Sequence, residues 1–346
     1  MKPRIWMTGV GLCLLLGGAW PACGADYYVD DASNVGDLWT PAAIGNDAND
    51  GLTPTTPKAT LGNLIGTVAL TAGDTVYVDT GSYGSGVVIS NTVVGAAGNP
   101  VWFRGSTNGV VFSGSGVNLT VQGKYLMLTD IRTVGGTEGM RLEGAQNNLL
   151  ERITVVSNST YGFNFNSTDC RTNMIRRCLI VANGNAIRAF GAANSIENSV
   201  IASYNSVALL FSVGVFSNMQ NCVVGGKQAF ASSANSPLKG TRNIFTPPII
   251  LSTDLESLAD FRRINTNWTG NTYADPKFIN AEGLDFHLLS AAGFVSNGVW
   301  VTNAAVGYSP AIDFGARGAA VGDEPAPNGG RINIGFFGGT AEASKS

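Results

Sequence analysis

The sequence predicts an all-β chain wound into a parallel β-helix, a solenoid with an N-terminal cap helix and a C-terminal capping segment. Two independent residue columns recur with a period near 23, the apolar positions within each repeat alternate, and no repeat holds a helical pattern. One column is a small residue followed by an apolar one: Gly116-Val117, Gly139-Met140, Gly162-Phe163, Ala186-Ile187, Ala208-Leu209 and Ala229-Phe230, at steps of 23, 23, 24, 22 and 21 residues. The other is Leu128, Leu150, Ile175, Ile196 and Met219, at steps of 22, 25, 21 and 23. Alternation such as Val117, Leu119, Val121 marks a strand with one buried face. Coils of this length stack at the ~4.8 Å strand spacing, each covering the apolar row of the last. A leucine-rich repeat has a similar period, but its Leu-x-x-Leu-x-Leu signature and its helix are missing.

Four segments follow along the chain: a signal over 1–25, an N-terminal cap with the first coils over 26–99, coils over 100–248, and last coils with the capping segment over 249–346. Residues 1–25 have a basic start at Lys2 and Arg4, an apolar stretch from Ile5 to Trp20, and small residues up to a cleavage point after Ala25. That is the layout of a secretory signal peptide. The apolar run falls short of the ~20 residues of a membrane span, and no later segment qualifies. A lipid anchor at Cys23 is disfavoured by Trp20, which stands where a small aliphatic residue belongs. The protein is therefore expected to be secreted or held at the cell surface, as a monomer. The signal takes two of the 21 basic residues and none of the 24 acidic ones, so the net charge moves from −3 to −5.

Charged residues make up 13% of the chain, against ~25% in an ordinary domain, while 44% is hydrophobic and ample for a core. This balance argues against nucleic acid, which is gripped by clustered Lys and Arg. A lone histidine, His287, argues against a Ser-His-Asp triad or an HExxH zinc site. Past the signal, Cys170, Cys178 and Cys222 are odd in number and lack CxxC spacing. Cys178 and Cys222 share an inward column two coils apart, beyond the ~7 Å Cα reach of a disulfide. All three read as buried thiols.

Asparagines keep the period as well. Asn148, Asn173 and Asn194 each precede the second column by two, and Asn158, Asn183 and Asn205 sit shortly before the first. Amides at turns can bond the backbone of the coils above and below, so these are expected to be turn ladders rather than a sugar-binding row. A polar column runs Thr129, Glu151, Arg176, Glu197 and Gln220, with Asp130, Arg152, Arg177, Asn198 and Asn221 beside it. Opposite charges in adjacent coils would pair across the strand spacing, as a solvated structural face. Thr253 to Ile264 looks helical, with Thr253 as cap, Glu256 three residues on, and Leu255, Leu258 and Phe261 on one face. It is expected to pack on the side of the stack.

An open stack needs a cover at each end. The mature start reads Asp26-Tyr27-Tyr28-Val29-Asp30-Asp31, then Gly45-Asn46-Asp47-Ala48-Asn49-Asp50-Gly51, Pro57-Lys58-Ala59-Thr60-Leu61, Gly73-Asp74-Thr75-Val76-Tyr77-Val78 and Gly81-Ser82-Tyr83. This resembles the opening segment of secreted bacterial right-handed parallel β-helix proteins of the pectate-lyase-like superfamily. The likeness implies a short plug helix over about 60–70. The turn holding Asp47, Asn49 and Asp50 offers oxygen ligands that calcium would accept. It lacks EF-hand spacing, and a turn held by Asx bonds is the favoured reading, with no metal or other cofactor expected. Asp275-Pro276-Lys277-Phe278, Asp285-Phe286-His287-Leu288, Ser309 to Gly315 and Asn333 to Gly338 resemble the closing segment of such proteins, which implies a structural strand for His287.

The resemblance implies a fold more firmly than an activity. Lyases of this superfamily abstract a proton beside a uronate carboxyl, using a Lys or Arg base and a cation, often calcium, held by several acids. The acids of the coils, Asp130, Glu138, Glu143, Glu151, Asp169 and Glu197, do not stack as such a cluster. The candidate binding surface is instead the outward row Arg141, Asn164 and Arg188, with Glu143, Asn166 and Phe190 alongside. Arginines among amides and an aromatic suit an acidic sugar. Two functions therefore stand: an exported, glycan-contacting or envelope-associated β-helix without catalysis, and a polysaccharide lyase acting by β-elimination.

Overall fold

The computed structural model describes residues 24–182, 184–232, 239–246 and 268–346. The helical segment expected over Thr253 to Ile264, Asn183, and residues 1–23 of the signal lie outside them.

The chain winds as a parallel β-helix with three faces. On the first, Asp26–Val29, Thr75–Val78, Val101–Gly105, Leu126–Thr129, Leu149–Glu151 and Met174–Arg176 pair in succession, each parallel to the last. The register then passes through Ile196 and Met219. Val76, Phe103, Leu128, Leu150, Ile175, Ile196 and Met219 form its fully buried inward column. This reproduces the second sequence column residue for residue.

The third face corrects the first column at one point. Its inward residues are Leu119, Met140, Phe163, Ile187, Leu209 and Phe230, whereas Val117 lies opposite Glu138. A slip of two residues on an alternating strand leaves every side chain on its own side, so the pattern alone does not reveal it. The small residues have a steric cause. A Cβ on Gly139 would lie 2.3 Å from Val155 Cγ1, and one on Gly162 would lie 2.5 Å from the Ala186 carbonyl oxygen. Nothing crowds Gly116, which stands outside the column.

The second face is buried on both sides. Val155, Ile180, Ile201, Val224 and Phe245 point into the coils. Val156, Leu179, Val181, Val200, Val223 and Ile244 point outward, yet they lie beneath Phe286, Leu288, Ala311 and Ile334 of the C-terminal segment. That segment, with its antiparallel hairpins Phe278–Asn280/Asp285–Leu288 and Phe294–Ser296/Val299–Val301, thus packs along the flank of five strands. It was expected over the end of the stack.

In the six turns from Asp130 to Arg242 the corner after the first face is a single left-handed residue: Asp130, Arg152, Arg177, Asn198, Asn221 and Arg242, with φ between 46° and 60°. Asparagine and aspartate visit this region readily, while arginine takes on strain there. The charged column beside it pairs as expected. Arg152 grips Asp130 through two bonds of 2.6 Å, and Arg176 holds Glu151 through two of 3.0 Å. Glu151 at its centre is not solvated, however. It is 3% exposed, because Arg177 bonds both Glu151 and the carbonyls of Gly338 and Gly339 in the C-terminal segment.

The asparagine ladder is real at the corner before the first face. Asn148 and Asn173 accept at Oδ1 from the amides of Leu126 and Asn148, Asn194 accepts from Asn173, and all three are buried. Asn158 is also buried and bonds the Gly135 carbonyl, whereas Asn205 is exposed. Thr60 caps the helix Leu61–Thr67, which buries Leu61 and Leu64 in the core that holds Val29 and Val76. Cys170, Cys178 and Cys222 are free, fully buried thiols.

Candidate functional site

The third face carries the outward row. Arg141, Asn164 and Arg188 lie side by side in the register of three successive coils, as the sequence implied. Their environments are not alike, and the differences divide the proposed set.

Arg141 is already committed. Its Nε and Nη2 donate to the two carboxylate oxygens of Glu138 at 2.8 and 2.7 Å. That bond outweighs burial and holds the guanidinium in its charged form. Asn164 donates to the same carboxylate at 3.0 Å and is only 1% exposed. Both residues were expected to be free for a sugar. Glu138, three residues before Arg141, takes them instead. Residues three apart on a flat strand face opposite ways, so the sequence pattern hides this contact.

Glu143 lies elsewhere, accepting from Gln122 Nε2 at 3.0 Å. It lines an open polar groove of about 450 Å³ with Gln122, Lys124, Gln146, Ser167 and Asp169. This groove does not include Arg141, Asn164 or Arg188.

Arg188, Asn166 and Phe190 do come together. The Arg188 guanidinium carbon lies 4.5 Å from the Phe190 ring centroid and 5.3 Å from that of Tyr161. Its Nη1 reaches Asn166 Oδ1 at 3.5 Å, the far limit of a hydrogen bond. None of the ion pairs found among the described residues involves Arg188. Tyr161 escaped the sequence reading, although it opens the strand Tyr161–Phe165 two residues before the column residue Phe163. The residues that come together are therefore Tyr161, Asn166, Arg188 and Phe190: a cation close to two rings with an amide beside it. Aromatic faces fix the guanidinium and offer an apolar surface to a ligand, while the outer N–H donors remain for a planar anion.

The other candidates are structural. His287 stacks on Phe337 with ring centroids 3.5 Å apart, and its Nδ1 lies 2.7 Å from Asp285 Oδ1 in the strand Asp285–Leu288. At the acidic turn, Asp47 accepts from the amides of Ala59 and Thr60, and Asp50 accepts from Leu52 and Thr56. Lys58 Nζ donates to the carbonyls of Asp47 and Asn49 at 3.1 and 2.6 Å. Internal donors thus hold the turn, and Asp50 closes an Asx bond to Leu52 as expected. Among the described residues no three His, Cys, Asp or Glu side chains gather as a metal centre, and no helix is long and apolar enough to cross a membrane.

No family model matches the chain, and no curated protein matches it. Among solved structures, pectate lyase Pel9A is similar at 13% identity and TM-score 0.48, over 91% of this chain and 97% of that one. An alginate lyase from Paenibacillus sp. str. FPU-7 is similar at 16% identity and TM-score 0.40, over 62% of this chain and 95% of that one. A rhamnogalacturonan lyase is similar at 16% identity and TM-score 0.38, over 64% of this chain and 74% of that one. The chain's own register establishes its fold, a parallel β-helix.

Proposed function

We propose that this protein is exported and binds an acidic polysaccharide on its third face, with Arg188 as the anchor. The supporting observation is the Arg188 guanidinium, stacked on Phe190 and Tyr161 and held by no carboxylate of the described residues. A sugar carboxylate would take its two outer donors as a bidentate pair. The rings of Tyr161 and Phe190 would meet the apolar face of the sugar, and Asn166 would meet a hydroxyl. The reading is of binding without turnover.

The test is to offer the mature protein acidic and neutral glycans, with and without calcium, and to follow both binding and the ultraviolet absorbance of unsaturated products. Retained binding of acidic glycans with no such product supports the proposal. Unsaturated product that disappears in Arg188→Ala would replace it with the β-elimination reading. Equal binding of neutral and acidic glycans would overturn the role of Arg188.

A further inference from the structure

The N-terminal cap contains two carboxylates whose oxygens have no hydrogen-bond partner among the described residues. Asp30 follows Val29, whose register partner is Val78, and the Asp79 amide donates to the Val29 carbonyl at 2.8 Å. Asp30 and Asp79 thus stand about one strand spacing apart, ~4.8 Å. Asp79 is fully occupied. It accepts from the amides of Leu38, Trp39, Thr40 and Thr80 and from Thr40 Oγ1, all within 2.6–2.8 Å. These bonds draw the loop 36–40 onto the first coil, with Asp37 next to Leu38, and the charge of Asp37 is felt at Asp30. Asp31 likewise accepts from the amides of Ser33 and Ser82.

Asp30 and Asp37 differ from both. Asp30 is 0% exposed, and all four carboxylate oxygens of the pair are buried without a hydrogen-bond partner. The Asp31 amide lies close to Asp30 yet closes no bond of normal geometry. Burial and the neighbouring acids push Asp30 up to about 7 and Asp37 up to about 6. A buried, unpaired carboxylate is costly, and proteins resolve it with a partner ion or a metal.

We propose that Asp30 and Asp37 are ligands of a calcium ion that fastens the loop 36–40 to the first coil. Two carboxylates supply up to four hard oxygens and two negative charges, without nitrogen or sulfur. Main-chain carbonyls and water would complete the six to eight oxygens that calcium takes. Asp79 and Asp31 would add favourable field rather than ligands, since their oxygens already accept amide hydrogens. The site is distinct from the turn at Asp47 and Asp50, and it does not depend on the glycan proposal.

The test is calorimetric titration of the chelator-stripped mature protein with calcium chloride, alongside thermal melts with and without calcium. The expected result is one calcium per chain and a melting temperature raised by calcium. Asp30→Asn and Asp37→Asn should each lower affinity by more than the ~10–100-fold typical of removing a group behind a ligand, and Asp50→Asn should leave it unchanged. Asp37→Asn carries the test if the fully buried Asp30 variant fails to fold. A wild type with no calcium heat and an unmoved melt would overturn the proposal, since the two carboxyls would then share a proton. Calcium binding that survives Asp37→Asn would overturn it as well.

Discussion

Replacing Asn173 with alanine separates the asparagines that hold the coils together from those that merely share the period. Asn173 is 1% exposed, its Oδ1 accepts from the Asn148 amide at 3.2 Å, and its Nδ2 donates to the Ala145 carbonyl at 2.9 Å. Alanine would leave that amide buried and unpaired, while the Ala145 carbonyl keeps the Arg171 N–H at 3.2 Å. One such group costs about 1–3 kcal/mol, so the loss should be about 1–3 kcal/mol. Asn194 Oδ1 adds nothing to this sum, because it keeps the backbone N–H of residue 173. Asn205 lies on the same sequence period but is exposed, and Asn205→Ala should stay within ~0.5 kcal/mol. Urea unfolding by circular dichroism would compare the two variants. Because a stack of coils need not unfold as one unit, hydrogen exchange at the Asn148 amide gives the local reading, and its protection should collapse only in Asn173→Ala. Equal stability of the two variants, with Asn148 still protected, would refute the ladder.

Glu151 should make stability fall in acid. Burial pushes its carboxyl up, but the bond from Arg176 and the charges of Arg176, Arg152 and Arg177 outweigh this and hold it below its ordinary value of 4.5. A depressed folded pKa gives stability that is present above the unfolded value and lost as pH falls through the folded one. Glu151→Gln should therefore cost about 1–3 kcal/mol at pH near 7, discounted for arginines that are a quarter to two-fifths exposed. Urea midpoints for the variant and wild type should converge in acid; a gap that persists below the titration would count against this account. Cys178 and Cys222, each pushed up to about 12 by burial, should resist a thiol reagent in the native protein and react fully in denaturant. Rapid native labelling would place them outside the core. Phe163→Ala, at a fully buried position, should cost about 3–5 kcal/mol by calorimetric unfolding, and a loss below ~1 kcal/mol would contradict the inward column.

The core was legible because it is periodic. Leu128 to Met219 can be read from spacing alone, and so can Asn148, Asn173 and Asn194, since each coil repeats one geometry. The position of the C-terminal segment was written more faintly. Leu179-Ile180-Val181-Ala182 is apolar without alternation, as a strand covered on both faces must be, and that run was the available signal. The site was legible only in part. Arg188, Asn166 and Phe190 could be placed together because outward positions on one face can be counted. The bonds of Arg141 and Asn164 to Glu138 could not be read, because the Glu138 side chain turns to their side against simple alternation. Asp30 and Asp37 were invisible as a pair. Their proximity comes from a loop folded back by bonds to Asp79, and no spacing rule encodes it.

The role of Arg188 is tested most directly by titrating the mature protein and two arginine variants with an acidic oligosaccharide such as oligogalacturonate. A hydrogen-bonded charge pair contributes about 1.5–3 kcal/mol, which converts to a weakening of roughly 10- to 150-fold in Arg188→Ala. Arg188→Lys should recover only part of it, because an ammonium lacks the planar fork. Arg141→Ala, whose guanidinium is spent on Glu138, should lower stability and leave affinity nearly unchanged. Binding lost in Arg141→Ala and kept in Arg188→Ala would contradict the account.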